Sequence, residues 1–168
     1  DVDGHSLPVE IDGVFGKNHV FAAMATLALS QGLKFNILDA INALKIYDVP
    51  SGRMRLLKGI DDTLIIDDTY NSSPFACESA LKTLGEIKCS GQKIAILGNM
   101  NELGNYSQAA HQEIGSYCDP KKLDLVITLG PDANKYLAPA AEAKGCSVQQ
   151  FDDPYSAGDY LKRMIKKG

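Results

Sequence analysis

Two adjacent carboxylates, Asp67 and Asp68, close the apolar run of "LIIDDTYNSSP" and are followed at once by Thr69, Tyr70, Asn71, Ser72 and Ser73. Neighbouring carboxylates at a strand end repel, and without partners they cost stability. One partner would be the N-terminus of a following helix, but a cap needs a single short polar side chain and the cluster here is larger. Another would be a ligand, because a carboxylate at such a strand end can accept two hydrogen bonds from a ribose diol. A shared metal is the weaker reading, since consecutive strand residues point to opposite faces. On local grounds both the cap and the ligand edge stay open.

Two further loops carry unusual polar content, "GNMNELGNYS" and "GPDANKY". Asx turns and helix caps are the ordinary explanation of each, more so for the second. Ser107 and His111 have the residue types of a nucleophile and its base, yet pairs four apart on a helix are usually solvated or capping. "GKNHV" sets Asn18 and His19 where a helix begins; their side chains could meet a purine edge, or Asn18 could simply cap the helix. His5 is isolated. No G-x-G-x-x-G and no GxxxxGK[ST] occurs anywhere in the chain, so neither phosphate-binding loop is present.

Positioning these groups requires regular elements. "KNHVFAAMATLALSQ" reads as a helix ending at Gly32, and "NILDAINALKIY" as a second helix with Asn36 as its cap. Pro50 and Gly52 in "DVPSGR" then break the helical pattern, and a domain junction is placed there. Residues 53–58 and 63–67 read as a hairpin joined through "GIDD". A helix over 74–87, started by Ser72 or Ser73, precedes the apolar strand "QKIAILGNM", of the kind buried on both faces of a parallel sheet. Helices over 107–118, 133–144 and 154–167 alternate with the strands "LDLVITLG" and "SVQQF". This alternation predicts an α/β fold with a doubly wound, mostly parallel sheet.

The chain of 168 residues is 45% hydrophobic, enough for a packed core. Its net charge of −4 and scattered basic residues argue against nucleic-acid or membrane-surface binding. No apolar run approaches the ~18 residues of a membrane span. Cys77, Cys89, Cys118 and Cys146 form no CxxC pair, which reads as reduced, mostly buried thiols of a cytosolic chain. The opening "DVDGHSLPVEIDG" starts in mid-phrase, as a piece of a longer protein would.

Taken in order, "GKNHVFAAMATLALSQGL", "SGRMRLL", "LIIDDTYNSSPFACESALKTL", "KIAILGNMNELGNYSQAAHQEIG" and "DLVITLG" resemble the C-terminal half of the Mur ligases, and within them the member that adds a dipeptide. The resemblance runs from about Gly16 to Gly130. It implies that residues 1–49 end a central ATP-binding domain and that residues 50–168 form a dinucleotide-binding-like C-terminal domain lacking its last strand. It also implies an ATP-dependent ligase of peptidoglycan precursor synthesis in the cytoplasm. The ligase would join D-Ala-D-Ala to UDP-MurNAc-tripeptide through an acyl phosphate, with Mg²⁺ held mainly by a part of the central domain outside the chain.

Carried over by position, Asn18 and His19 would border the adenine, Arg53 would reach the ATP phosphates and Asp68 the ribose. Tyr70 and Asn71 would lie near the phosphates or the incoming dipeptide, and Asn99 and Glu102 would shape the amine-substrate pocket. No catalytic residue would be in the chain itself, which would be inactive alone and part of a monomer. The chain departs from the family phrase at "NH" with Ala22, where relatives have "HN" and a second asparagine, and at Asn99, where "LGDM" is usual. Another Mur-type amide ligase, or a free-standing nucleotide-binding or interaction module, would be the alternatives.

Overall fold

A computed structural model describes residues 6–165; His5, Lys166 and Lys167 lie outside the described residues. Helix α1 (Lys17–Gly32) forms along an unbroken run rich in alanine and leucine. Gly16, at φ 90°, opens it with no side-chain cap, so Asn18 sits in the first turn and does not cap the helix. Ala23 is buried, whereas Val20, Phe21, Met24 and Leu29 are each more than half exposed. Helix α2 (Ile37–Lys45) is capped as its sequence predicts, with the Asn36 side chain accepting the Leu38 N–H at 3.0 Å.

Strands β1 (Arg55–Lys58) and β2 (Leu64–Asp67) pair antiparallel, Arg55 opposite Asp67. Asp61 and Asp62 both adopt positive φ, and the Thr63 N–H donates to Ile60 O at 3.0 Å. That is a type I′ turn, whose twist matches the strands it joins. Residues 13–15 run along the other edge of β1, with Leu56 N–H on Gly13 O at 3.0 Å and Phe15 N–H on Met54 O at 3.1 Å.

Helix α3 (Pro74–Glu86) begins with Pro74 in its first turn and Ser73 as its cap, settling which serine plays that part. Beyond it lies a parallel sheet in the order β3 (Ile94–Gly98), β4 (Leu125–Leu129), β5 (Val148–Phe151). Leu125, Val126, Ile127 and Thr128 of β4 are all buried, as a central strand demands. β3 differs from expectation. It is an edge strand among the described residues, and Ile96 is 49% exposed although Ala95 beside it is buried.

Helices α3 and α4 (Ser107–Tyr117), together with the segment from Ala133 to Ala141, cover one face of the sheet. Helix α6 (Pro154–Met164) covers the other with Ala157 against Leu125 and Ile127. Helices on both faces of a parallel sheet make the fold doubly wound. The single helix expected over 133–144 is a π-helical turn, Ala133–Leu137, leading into α5 (Ala138–Ala143). Pro139 has no N–H to give the carbonyl four residues back, which favours the wider turn there. At Gly115 of α4 a Cβ would lie 2.3 Å from Leu137 O, so glycine sets how closely the two helical segments approach. Among the described residues no helix is long and apolar enough to cross a membrane.

Candidate functional site

The segment Gly52–Met54 carries the chain from the helical part to β1, and the loop after β2 grips it. Asp67 Oδ2 accepts the Gly52 N–H at 3.0 Å and Asp68 Oδ1 accepts the Met54 N–H at 3.2 Å. The Tyr70 N–H donates in turn to Gly52 O at 3.1 Å. The crossing needs left-handed backbone at Gly52 (φ 72°) and Met54 (φ 52°). At Gly52 a Cβ would meet Tyr70 N at 2.5 Å, so only glycine fits.

His19 reaches this segment from α1. Its Nε2 lies 2.9 Å from Arg53 O, and because a carbonyl only accepts, the proton is on Nε2. The Arg53 guanidinium stacks over the Tyr70 ring, 4.1 Å from its centroid. The structure therefore gathers His19, Arg53, Asp68 and Tyr70 into one cluster. Asn18 is exposed nearby, and Asn71 turns back so that its Oδ1 accepts the Ser72 N–H at 2.8 Å.

The two aspartates have opposite electrostatics. The Thr69 hydroxyl, helped by the Gly52 and Thr69 amides, holds the Asp67 carboxyl below its ordinary range. Burial pushes Asp68 up, against the pull of the Met54 amide, Arg53 and His19. Asp68 is thus the carboxylate with unmet demand. One oxygen holds the Met54 N–H, and the Arg53 guanidinium is near enough to pull on the carboxylate electrostatically.

A second group lies at the carboxyl ends of β3 and β4. Asn99 Oδ1 accepts the N–H groups of Asp132 and Ala133 at 3.1 and 3.0 Å, capping the π-helical turn from outside. His111 is fully buried; its Nε2 accepts the Met100 N–H at 3.0 Å and its Nδ1 lies 2.8 Å from Ser107 O. Ser107 Oγ donates to Asp132 Oδ2 at 2.5 Å. The pair expected to be solvated or capping is therefore an interior strut. Met100 is buried and Leu103 packs on the core, which leaves Asn101 and Glu102 facing out, Glu102 with φ 64°. In the third polar loop Asn134 is neither an Asx turn nor a cap but ties the loop to two strands. Asn134 accepts from Thr128 Oγ1 at 2.7 Å and donates to Phe151 O at 3.0 Å.

Comparisons with known proteins decide what this frame is. Residues 52–168 match the family model described as "Mur ligase, glutamate ligase domain". The chain belongs to the Mur ligase family. It is 33% identical over 167 residues to the UDP-N-acetylmuramoyl-tripeptide–D-alanyl-D-alanine ligase of Synechocystis, covering 99% of this chain and 36% of that protein. The ligase of the same name from Bacillus subtilis is 35% identical over 119 residues, 70% of this chain and 26% of that one. In three dimensions it is similar to the MurF ligase of Thermotoga maritima solved with ADP, at a TM-score of 0.77 and 27% identity. That match covers 95% of this chain and 35% of the other. The chain thus spans about a third of the length of these Mur ligases.

Within this Mur ligase chain four residues do structural work that their sequence context does not assign to them. Asp67, Ser107, His111 and Asp132 do the holding, and Asp132 gave no signal beyond an acidic residue after a strand. The spacing of Ser107 and His111 was visible, but not the buried backbone amide of Met100 that makes the histidine necessary.

Proposed function

We propose that the chain serves an ATP-dependent ligase that joins D-Ala-D-Ala to UDP-MurNAc-tripeptide in cytoplasmic peptidoglycan precursor synthesis, acting as a monomer. Residues 1–49 belong with a central ATP-binding domain and residues 50–168 form the C-terminal domain. The observation that carries this reading is the junction cluster: a guanidinium stacked over Tyr70 beside a half-buried carboxylate, in a chain whose relatives bear that ligase's name.

In the reaction a carboxylate oxygen of the tripeptide takes the γ-phosphoryl group of ATP and ADP leaves. The dipeptide nitrogen then bonds to the acyl carbon, phosphate leaves and the amine gives up a proton. Positioning and charge neutralisation dominate such transfers. Arg53, with its planar fork of donors, neutralises phosphate charge. Asp68 Oδ2 accepts from the ribose while Oδ1 keeps its hold on Met54. Asn18 and His19 border the base, and Tyr70 and Asn71 lie towards the phosphates. Glu102 and the amide nitrogen of Asn99 line the amine-substrate side. Mg²⁺ would be held mainly by a part of the central domain outside the chain and would neutralise phosphate charge there.

The test is a ligation assay with purified UDP-MurNAc-tripeptide, D-Ala-D-Ala and ATP. The whole protein is expected to form the pentapeptide product and to release one ADP per bond. The chain alone, without a phosphate-binding loop, is expected to give no turnover. Product formation with a single amino acid but not with the dipeptide would overturn the reading.

A further inference from the structure

We infer that His111 is a positioning residue for the amine substrate: held as the Nδ1–H tautomer, it fixes the Met100 amide and so the loop that presents Asn101 and Glu102. The inference deepens the proposed function and rests on it for the identity of the substrate.

His111 is 0% exposed, and burying an imidazole this completely is unfavourable unless both nitrogens are satisfied. Both are. Ser107 O can only accept, so the proton between it and Nδ1 belongs to the imidazole. Nε2 is then an acceptor, and the Met100 N–H points at it from 3.0 Å. One tautomer satisfies both contacts and the other satisfies neither.

The strut does not end there. Ser107, whose carbonyl anchors the imidazole, donates its hydroxyl to Asp132, and the Asp132 N–H donates to Asn99 Oδ1. His111 and Asn99 thus hold the loop after β3 from its two sides, one through the backbone of Met100 and one through the loop after β4. Between them the chain turns through left-handed backbone at Glu102 (φ 64°) and Gly104 (φ 53°). Glutamate does not adopt that conformation without support. Rigid support of this kind is how a loop keeps a polar side chain in place for a substrate that must arrive in a set orientation.

Two arms test the inference. Nitrogen-15 NMR of the wild-type chain reads the tautomer and the hydrogen bond directly, with Nδ1 protonated and a coupling expected between Met100 N and His111 Nε2. A proton on Nε2 would overturn the proposal without any variant being made. In the whole ligase, His111→Gln can still offer an acceptor to Met100, whereas the shorter His111→Asn cannot. His111→Asn is expected to speed exchange of the Met100 amide and to raise KM for D-Ala-D-Ala about tenfold, with His111→Gln recovering most of both. KM for ATP should stay within about twofold in either variant, because the nucleotide side is held by other groups. Equal dipeptide KM values in the two variants, or dipeptide and ATP KM moving together, would contradict a positioning role. If the wild-type ligase does not use the dipeptide at all, the functional reading falls. The NMR arm still decides whether His111 holds the loop.

Discussion

The junction cluster and the strand-end network are both built from short polar side chains holding backbone amides, but they hold them differently. At the junction the acceptors are two carboxylates, half-exposed, with Arg53 and His19 close by. At the strand ends the acceptors of backbone N–H groups are an amide oxygen and an imidazole nitrogen, part-buried or fully buried. A part-exposed carboxylate can hold one amide through one oxygen and keep its other oxygen open to a second polar partner. Neutral, fully satisfied groups suit a support that should not move. The difference teaches how each holding residue is placed: at the junction the carboxylates stay part-exposed, whereas at the strand ends the imidazole is interior, Asn99 is part-buried and Asn101 and Glu102 face out.

The sharpest way to break the junction is Gly52→Ala. Left-handed backbone and a Cβ 2.5 Å from Tyr70 N together should cost about 3 kcal/mol or more, read as a lower urea midpoint. Asn99→Ala tests the other side. Leaving the Asp132 and Ala133 N–H groups without their acceptor should cost about 1–3 kcal/mol. Asn99→Asp, which keeps a side-chain oxygen to accept both N–H groups, should retain the cap. If Asn99→Ala proved as stable as wild type, the strand-end loop would not be held as described.

The two aspartates separate by the sign of their pH dependence. Asp67 is depressed in the folded state, so it contributes stability above its ordinary value of 3.8 that is lost as pH falls through its lower folded pKa. Asp68 is raised, so the folded state binds its proton more readily and stability falls as pH rises from 3.8 through the raised value. Asp67→Asn should therefore flatten the acid limb of the stability profile, and Asp68→Asn should remove an opposing slope just above it. Identical changes in the two variants would show that the pair is equivalent, contrary to their hydrogen bonds. Smallest of all should be Tyr70→Leu. Tyr70 is 70% exposed, and losing a cation–π contact at such a site should change stability by under about 1 kcal/mol.

Much of this frame was legible before any coordinates. The alternation of apolar strands with helices follows from period and punctuation, but the sequence assigns the doubly buried pattern to β3, whereas β4 is the strand buried throughout from Leu125 to Thr128. The Asn36 cap and the I′ hairpin come from short-range chemistry that needs no tertiary information. What could not be read was who holds whom across long separations. Asp68 and Met54 are 14 residues apart and Asn99 and Asp132 are 33 apart, and nothing local marks either as a pair. The exposed Ile96 was invisible for a related reason, since its pattern is that of a central strand and only strand order makes β3 an edge. Met54 in left-handed backbone has no signature either; it is tolerated because Asp68 and Phe15 bind its two polar groups.

Under the proposed function Asp68 serves the junction and the nucleotide at once. The most direct test is ATP affinity by calorimetry in the whole protein carrying Asp68→Asn, which keeps an oxygen for Met54 but gives up the charge. The expected result is roughly tenfold weaker ATP binding with the fold intact, the loss of one charge-assisted hydrogen bond. Unchanged ATP affinity in that variant would leave Asp68 as a clamp of the junction and nothing more.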